Sequence, residues 1–157
     1  MADPRSTSDL AYEDIAVGQA YRTAAIEVTR DEMIAFASRY DPQPFHLDEE
    51  AGRKSVFGGL AASGWLTAAL TMRLMIQSEF QFGGGVIGLG VESLRWPHPV
   101  HAGDRLTATI EVRAMRVSES KPRHGVVKLL TTTTNQHGDV VQLKMSNVLM
   151  PRRPPAS

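Results

Sequence analysis

The sequence predicts an α+β fold, an antiparallel five-stranded sheet wrapped around one long central helix. Three observations lead there. In the second half, Leu106, Ala108, Ile110, Val112 and Ala114 alternate with Thr107, Thr109, Glu111, Arg113 and Met115, the period-2 pattern of a half-buried strand. Ahead of it, from Ala61 to about Phe80, Leu66, Ala68, Ala69, Leu70, Met72, Leu74, Met75 and Ile76 leave a helix little polar surface, and such a helix is buried. The later strands follow one another on short loops, which implies antiparallel pairing with the helix packed on one face.

In order along the chain, residues 1–11 are small and polar and are expected to be a flexible N-terminus. Residues 12–152 form a single domain, and 153–157 a proline-rich tail. Gln19 to Val28 predicts a strand, with Tyr21, Thr23 and Ala25 on one face and Ala24, Ile26 and Val28 on the other. Thr29-Arg30-Asp31-Glu32 fits a capping box with Thr29 as N-cap. Met33, Ile34, Phe36 and Ala37 give the next helix an apolar face that runs until Asp41-Pro42 stops it. Asp48 suits the N-cap of one or two further turns, to Lys54. Glycines at 58, 59 and 83–85 bracket the long helix. Val86–Trp96 opens the strand series, Val126–Thr134 continues it, Asn135-Gln136-His137-Gly138 supplies turn chemistry, and Val140–Met150 closes it before Pro151.

Composition excludes several function classes. Seventeen basic and seventeen acidic residues cancel, so no basic stripe points to nucleic acid. Without cysteine there is no disulfide framework, thiolate nucleophile or thiolate metal site. Met1–Asp14 lacks the apolar core of a signal peptide, and no run reaches the ~18 apolar residues of a membrane span. A soluble, cytoplasmic protein is expected.

The segment that carries chemistry is Tyr40-Asp41-Pro42-Gln43-Pro44-Phe45-His46-Leu47-Asp48. Each proline fixes its own φ and pushes the preceding residue toward extended geometry. A stiff, non-helical elbow is therefore expected, with a carboxylate and an imidazole at its ends. That pair suits proton transfer near neutral pH.

These residues resemble the MaoC-like dehydratases, or (R)-specific enoyl-CoA hydratases, of the hot-dog fold. Asp41-Pro42-Gln43-Pro44-Phe45-His46-Leu47-Asp48 is similar to the family's D-x-N-P-x-H-x-D signature. Ala61-Ala62-Ser63-Gly64-Trp65-Leu66-Thr67 resembles its small-residue approach to the central helix. Leu94 to Asp104, with Pro99-Val100-His101-Ala102-Gly103-Asp104, resembles its P-V-x-x-G-D segment. The resemblance implies that Asp41 and His46 position and activate a water, and that the Gly64 N–H, with Ser63 beside it, meets a thioester carbonyl. It implies no metal or redox cofactor, with coenzyme A entering only as part of the substrate. Partners would be an acyl-CoA or acyl-carrier thioester and a second copy of the chain, as a homodimer or dimer of dimers. Two positions depart from the family pattern: Gln43 stands where Asn is frequent, and Ser63 where His often precedes the glycine. Met72 falls near a place where some members carry serine.

The resemblance implies reversible hydration of a 2-enoyl-CoA to a 3-hydroxyacyl-CoA. Thioester hydrolysis on the same fold is the competing enzyme class, and a non-catalytic acyl-binding protein the third reading. His98, His101, His124 and His137 are expected to be solvated loop histidines, and Trp65 and Trp96 packing residues, either of which could also line an acyl tunnel. Arg39, Arg73, Lys121 and Arg123 are the candidates for coenzyme A phosphates, with nothing in the sequence to choose among them.

Overall fold

The computed structural model describes residues 9–155. Five strands lie side by side in the order β1 (Ala20–Arg22), β4 (Arg105–Val117), β5 (His124–Thr134), β6 (Val140–Pro151) and β3 (Ile87–Arg95), all antiparallel. A two-residue strand β2 (Ile26–Glu27) also pairs with β4. Only β4, β5 and β6 form a meander; β3 crosses to the far edge and pairs with β6.

The strand expected over Gln19–Val28 is split between β1 and β2. Thr23 takes over the ladder at the break: its hydroxyl accepts the Ala108 N–H at 2.9 Å and donates to the Ala24 carbonyl at 2.8 Å. A side-chain hydroxyl that competes for backbone partners interrupts a strand in this way.

Helix α1 (Arg30–Tyr40) begins at the expected N-cap, with the Thr29 hydroxyl accepting the Glu32 N–H; among the described residues the return bond from Glu32 that would complete the capping box is not made. The elbow differs. Gln43 is extended (φ −94°, ψ 145°), but Pro44–Leu47 forms one helical turn, α2. Pro44 opens that turn, the one helical position where a missing N–H costs nothing. Asp48 then caps α3 (Glu49–Lys54) by accepting the Ala51 N–H at 2.9 Å.

The central helix α4 is Gly64–Ile76, shorter at both ends than the apolar run suggests. Ala61 and Ala62 are held in extended pairing, by a bridge to His101 and a bond to the Val100 carbonyl. At the other end the Ser78 hydroxyl donates to the Met75 carbonyl and accepts the Phe80 N–H, closing the helix. One stripe of α4, with Leu66, Leu70, Leu74 and Met75, is buried against the sheet. The opposite stripe is not: Trp65, Met72 and Ile76 are 59%, 42% and 51% exposed.

Chain ends expected to be loose are partly tied down. Leu10 bridges to Phe82, and the Arg153 guanidinium bonds both Asp14 carboxylate oxygens, at 2.7 and 2.6 Å. Residues 1–8 of the expected flexible N-terminus, and 156–157, lie outside the described residues. Among the described residues no helix is long and apolar enough to cross a membrane.

Candidate active site

Asp41 terminates α1 and His46 sits in the single turn α2. The extended Gln43 between them folds the chain back, placing His46 Nε2 3.3 Å from Asp41 Oδ2. The two side chains are only 7% and 18% exposed.

The partners of each ring nitrogen and carboxylate oxygen limit the protonation states. His46 Nδ1 lies 2.7 Å from the Ala61 carbonyl oxygen. A carbonyl only accepts, so Nδ1 carries a proton and Nε2 of the neutral ring is an acceptor. Asp41 Oδ1 accepts the Gln43 amide at 2.6 Å, and Oδ2 accepts the Ser63 hydroxyl at 2.7 Å. Burial pushes the Asp41 carboxyl up, but the Gln43 and Ser63 donors, and the charge of His46 when it is protonated, outweigh it and hold the group below its ordinary value. With His46 neutral, the carboxylate and the Nε2 lone pair are adjacent acceptors, a seat for a molecule with two O–H donors, such as water. With His46 protonated, the same contact is an ion pair. The pair can therefore accept a proton and return it.

The Ala61 carbonyl is itself fixed. Ala61 N–H donates to Phe45 O at 3.1 Å and Ala62 N–H to Val100 O at 2.8 Å. His101 Nδ1 meets the Leu60 carbonyl at 3.0 Å, and Asp104 Oδ2 accepts the His101 N–H at 2.9 Å. Gly103 turns between them at φ +88°, a conformation that favours glycine. The Val100–Asp104 segment is thus a clamp on the loop that orients His46. His101 is half-buried in that clamp, not the solvated loop residue expected. His98 is exposed, with Nδ1 2.9 Å from the Val140 carbonyl.

Ser63 caps α4 by accepting the Trp65 N–H. It is fully buried, and its hydroxyl is turned to Asp41. Gly64, the first residue of α4, has an N–H with no carbonyl one turn back to receive it. The helix dipole favours negative charge at that point. A side chain at Gly64 would collide with the Trp96 indole, since a Cβ there would lie 2.5 Å from Cε2. A cleft of about 580 Å³ opens over this arrangement, lined by Asp41, His46, Phe57, Gly64, Trp65 and Trp96 among others.

The four residues singled out in the sequence therefore meet: Asp41 touches His46 and Ser63, and Gly64 borders the same cleft. Trp65 and Trp96, read from the sequence as packing residues that could also line an acyl tunnel, both border the cleft; Trp96 packs edge-on against Trp65 at 5.3 Å and donates its N–H to Gln142 Oε1 at 3.0 Å. Of the four cations considered for coenzyme A, Lys121 and Arg123 flank the end of β5 where His124 pairs with Pro151. The cleft residue Val141 lies ten residues back along β6, roughly 30 Å at strand rise. Arg39, stacked on Tyr40 at 5.4 Å, is beside the elbow.

Residues 13–135 match the family described as MaoC like domain. The chain belongs to that family. Among MaoC-like relatives, an (R)-specific enoyl-CoA hydratase of Rhodospirillum rubrum is 30% identical over 148 residues, covering 90% of this chain and 92% of the relative. A MaoC-like dehydratase structure from Rhodospirillum rubrum superposes with a TM-score of 0.88 at 47% identity, covering 93% of this chain and 99% of the other. The (R)-hydratase of A. caviae superposes at 0.72 with 32% identity, covering 88% of this chain and 99% of the other. The five-stranded sheet over α4 is accordingly a hot-dog fold.

Proposed function

We propose that this MaoC-like protein reversibly hydrates a 2-enoyl thioester, carried by coenzyme A or an acyl carrier, to the (R)-3-hydroxyacyl thioester. The observation that carries the proposal is the Asp41–His46 acceptor pair facing the same cleft as the open Gly64 N–H. Water held between Asp41 and His46 adds its oxygen to C3, and one of its protons passes to the pair. The electron pair of the double bond moves toward the thioester oxygen, where Gly64 N–H at the helix N-terminus receives the developing charge. The pair then returns a proton to C2, so one water is added across one double bond. Acid–base assistance contributes roughly 10²–10⁴-fold, and one oxyanion donor about 10²–10³-fold. The (R)-hydratase relatives support the same reaction and hand.

Incubating the purified protein with crotonyl-CoA tests this. Loss of enoyl absorbance without free thiol is expected. Thiol release would instead support a thioesterase, and neither signal over a range of chain lengths would support an acyl-binding role.

We propose further that the active form is a homodimer. β3 is the outermost strand, nine residues long, with Ile87, Leu89 and Val91 each more than half exposed, and Met72 and Ile76 of α4 are exposed as well. An apolar edge of that length is seldom left bare, and two-fold pairing of identical chains is its commonest cover. Sedimentation at micromolar concentration is expected to give at least twice 17.2 kDa; a fully active monomer would contradict this.

A further inference from the structure

Strand β6 faces the opposite way from its own pattern. Gln142, Lys144 and Ser146 alternate with Leu143 and Met145, which by periodicity alone puts the polar set in solvent. The structure turns the polar set inward: Gln142, Lys144 and Ser146 are 0%, 8% and 6% exposed. On β5, Thr131 and Thr133 are inward too, registered against Lys144 and Gln142. Thr67 and Thr71 of α4 are equally buried, and the Thr71 hydroxyl lies 2.8 Å from that of Thr133. A lane of polar side chains therefore runs between the central helix and the sheet, where a hydrocarbon core is the cheaper solution.

That lane is not self-satisfied. Thr131 Oγ1 and Gln142 Nε2 have no hydrogen-bond partner among the described residues. Among the described residues no carboxylate or carbonyl answers Lys144; burial alone acts on its ammonium and pushes the pKa down. Lys144 and Ser146 border a groove of about 330 Å³ shared with Met72 and Met75 of α4 and Gly88–Val91 of β3. The other end of the lane reaches the active cleft, through the Gln142–Trp96 bond. Conflict between a local pattern and the fold, with polar atoms left open, marks a functional site rather than a packing solution.

The geometry points to a substrate class: the acyl group hydrated here ends in a carboxylate, which enters the lane and pairs with Lys144 while Thr131 and Gln142 supply hydrogen bonds. This rests on the hydration reading above. A plain alkyl chain would leave the ammonium and both neutral groups unanswered; a terminal carboxylate answers the charge and offers acceptors for the amide and hydroxyl. Pairing of two copies through β3 and α4 would roof the groove and raise the cost of an unpaired Lys144.

Two measurements on the full chain test the inference. In the first, hydration of glutaconyl-CoA is compared with that of crotonyl-CoA. The wild type is expected to prefer the acidic substrate in kcat/KM by about 10–100-fold, and Lys144→Met to lose that preference, chiefly through KM. In the second, the unreactive analogues glutaryl-CoA and butyryl-CoA are compared by thermal shift, which reads binding without turnover. Stronger stabilisation by glutaryl-CoA, lost in Lys144→Met, supports the lane even if hydration itself fails. Equal or better binding of butyryl-CoA by the wild type overturns it even if hydration succeeds. Ligand-free Lys144→Met is expected to melt no lower than wild type, because it removes a charge that burial disfavours. A lower melting temperature with loss of the dimer would assign the partner of Lys144 to the second subunit and overturn the proposal.

Discussion

Two buried polar clusters lie on either side of Trp96, and they are built in opposite ways. In the elbow, both Asp41 oxygens, the Ser63 hydroxyl and His46 Nδ1 have partners within the protein. In the lane beneath α4, Thr131 Oγ1 and Gln142 Nε2 have no partner among the described residues, and burial alone acts on Lys144. A satisfied network holds its groups still before any ligand arrives, which is what proton transfer at a fixed water needs. An unsatisfied one is costly alone and is relieved by a ligand of matching chemistry. In the reading proposed above, the difference separates the part of the site that reacts from the part that selects.

The largest effects should come from breaking the satisfied cluster. Asp41→Asn and His46→Ala are each expected to lower kcat/KM by about 10²–10⁴-fold. Circular dichroism should stay native, since neither side chain belongs to the apolar core. The double variant should cost little more than either single one, because both groups handle the same proton. Near-normal hydration by a natively folded single variant would contradict the assignment.

Gly64→Ala attacks the joint between the clusters. The added methyl meets the Trp96 indole, whose N–H holds Gln142. Overpacking of that kind costs about 1–3 kcal/mol, so a lower urea midpoint is expected together with a kcat/KM reduced by roughly 5–100-fold. The backbone N–H at 64 is retained, so any loss reflects displacement of Trp96. Unchanged stability and activity would show that the indole is free to move.

The elbow was legible because its prolines dictate backbone geometry locally, and Asp48 and Thr29 cap helices with partners three residues away. The strands after Val86 were legible through alternation. The helical turn at Pro44–Leu47 was not, because proline forbids a helix interior yet suits a helix start, and the sequence does not say which position it holds. The end of α4 was overestimated because Ser78 ends the helix with its side chain, inside an apolar run. The inward face of β6 could not be read from periodicity, which assigns Gln142 and Lys144 to solvent; only the long-range pairing with β5 and β3 orients them. His101 looked like a loop residue because its partner, Leu60, is forty-one positions away.

The smallest expected effect on turnover at neutral pH sharpens the comparison by opening one bond of the closed cluster. Ser63→Ala removes the donor to Asp41 Oδ2 but leaves Gln43 on Oδ1. A hydrogen bond to a charged group contributes about 1.5–3 kcal/mol, and the Asp41 pKa is held down by these donors against burial. The pKa must therefore rise in the variant. In the proposed reaction Asp41 works as a carboxylate, so the acid limb of the pH–kcat/KM profile should move to higher pH, with a modest loss at neutral pH. Stability follows the same sign. A carboxyl depressed in the folded state contributes stability above its unfolded pKa, and that stability is lost as pH falls through the folded value. Ser63→Ala shrinks the contribution, so the gap in melting temperature to wild type should be widest near neutrality and close under acid conditions. Ser63→Thr, which keeps a hydroxyl, should restore the limb. An acid limb that stays in place in Ser63→Ala would mean that Asp41 is not the group titrating there, and the proton would have to be assigned elsewhere.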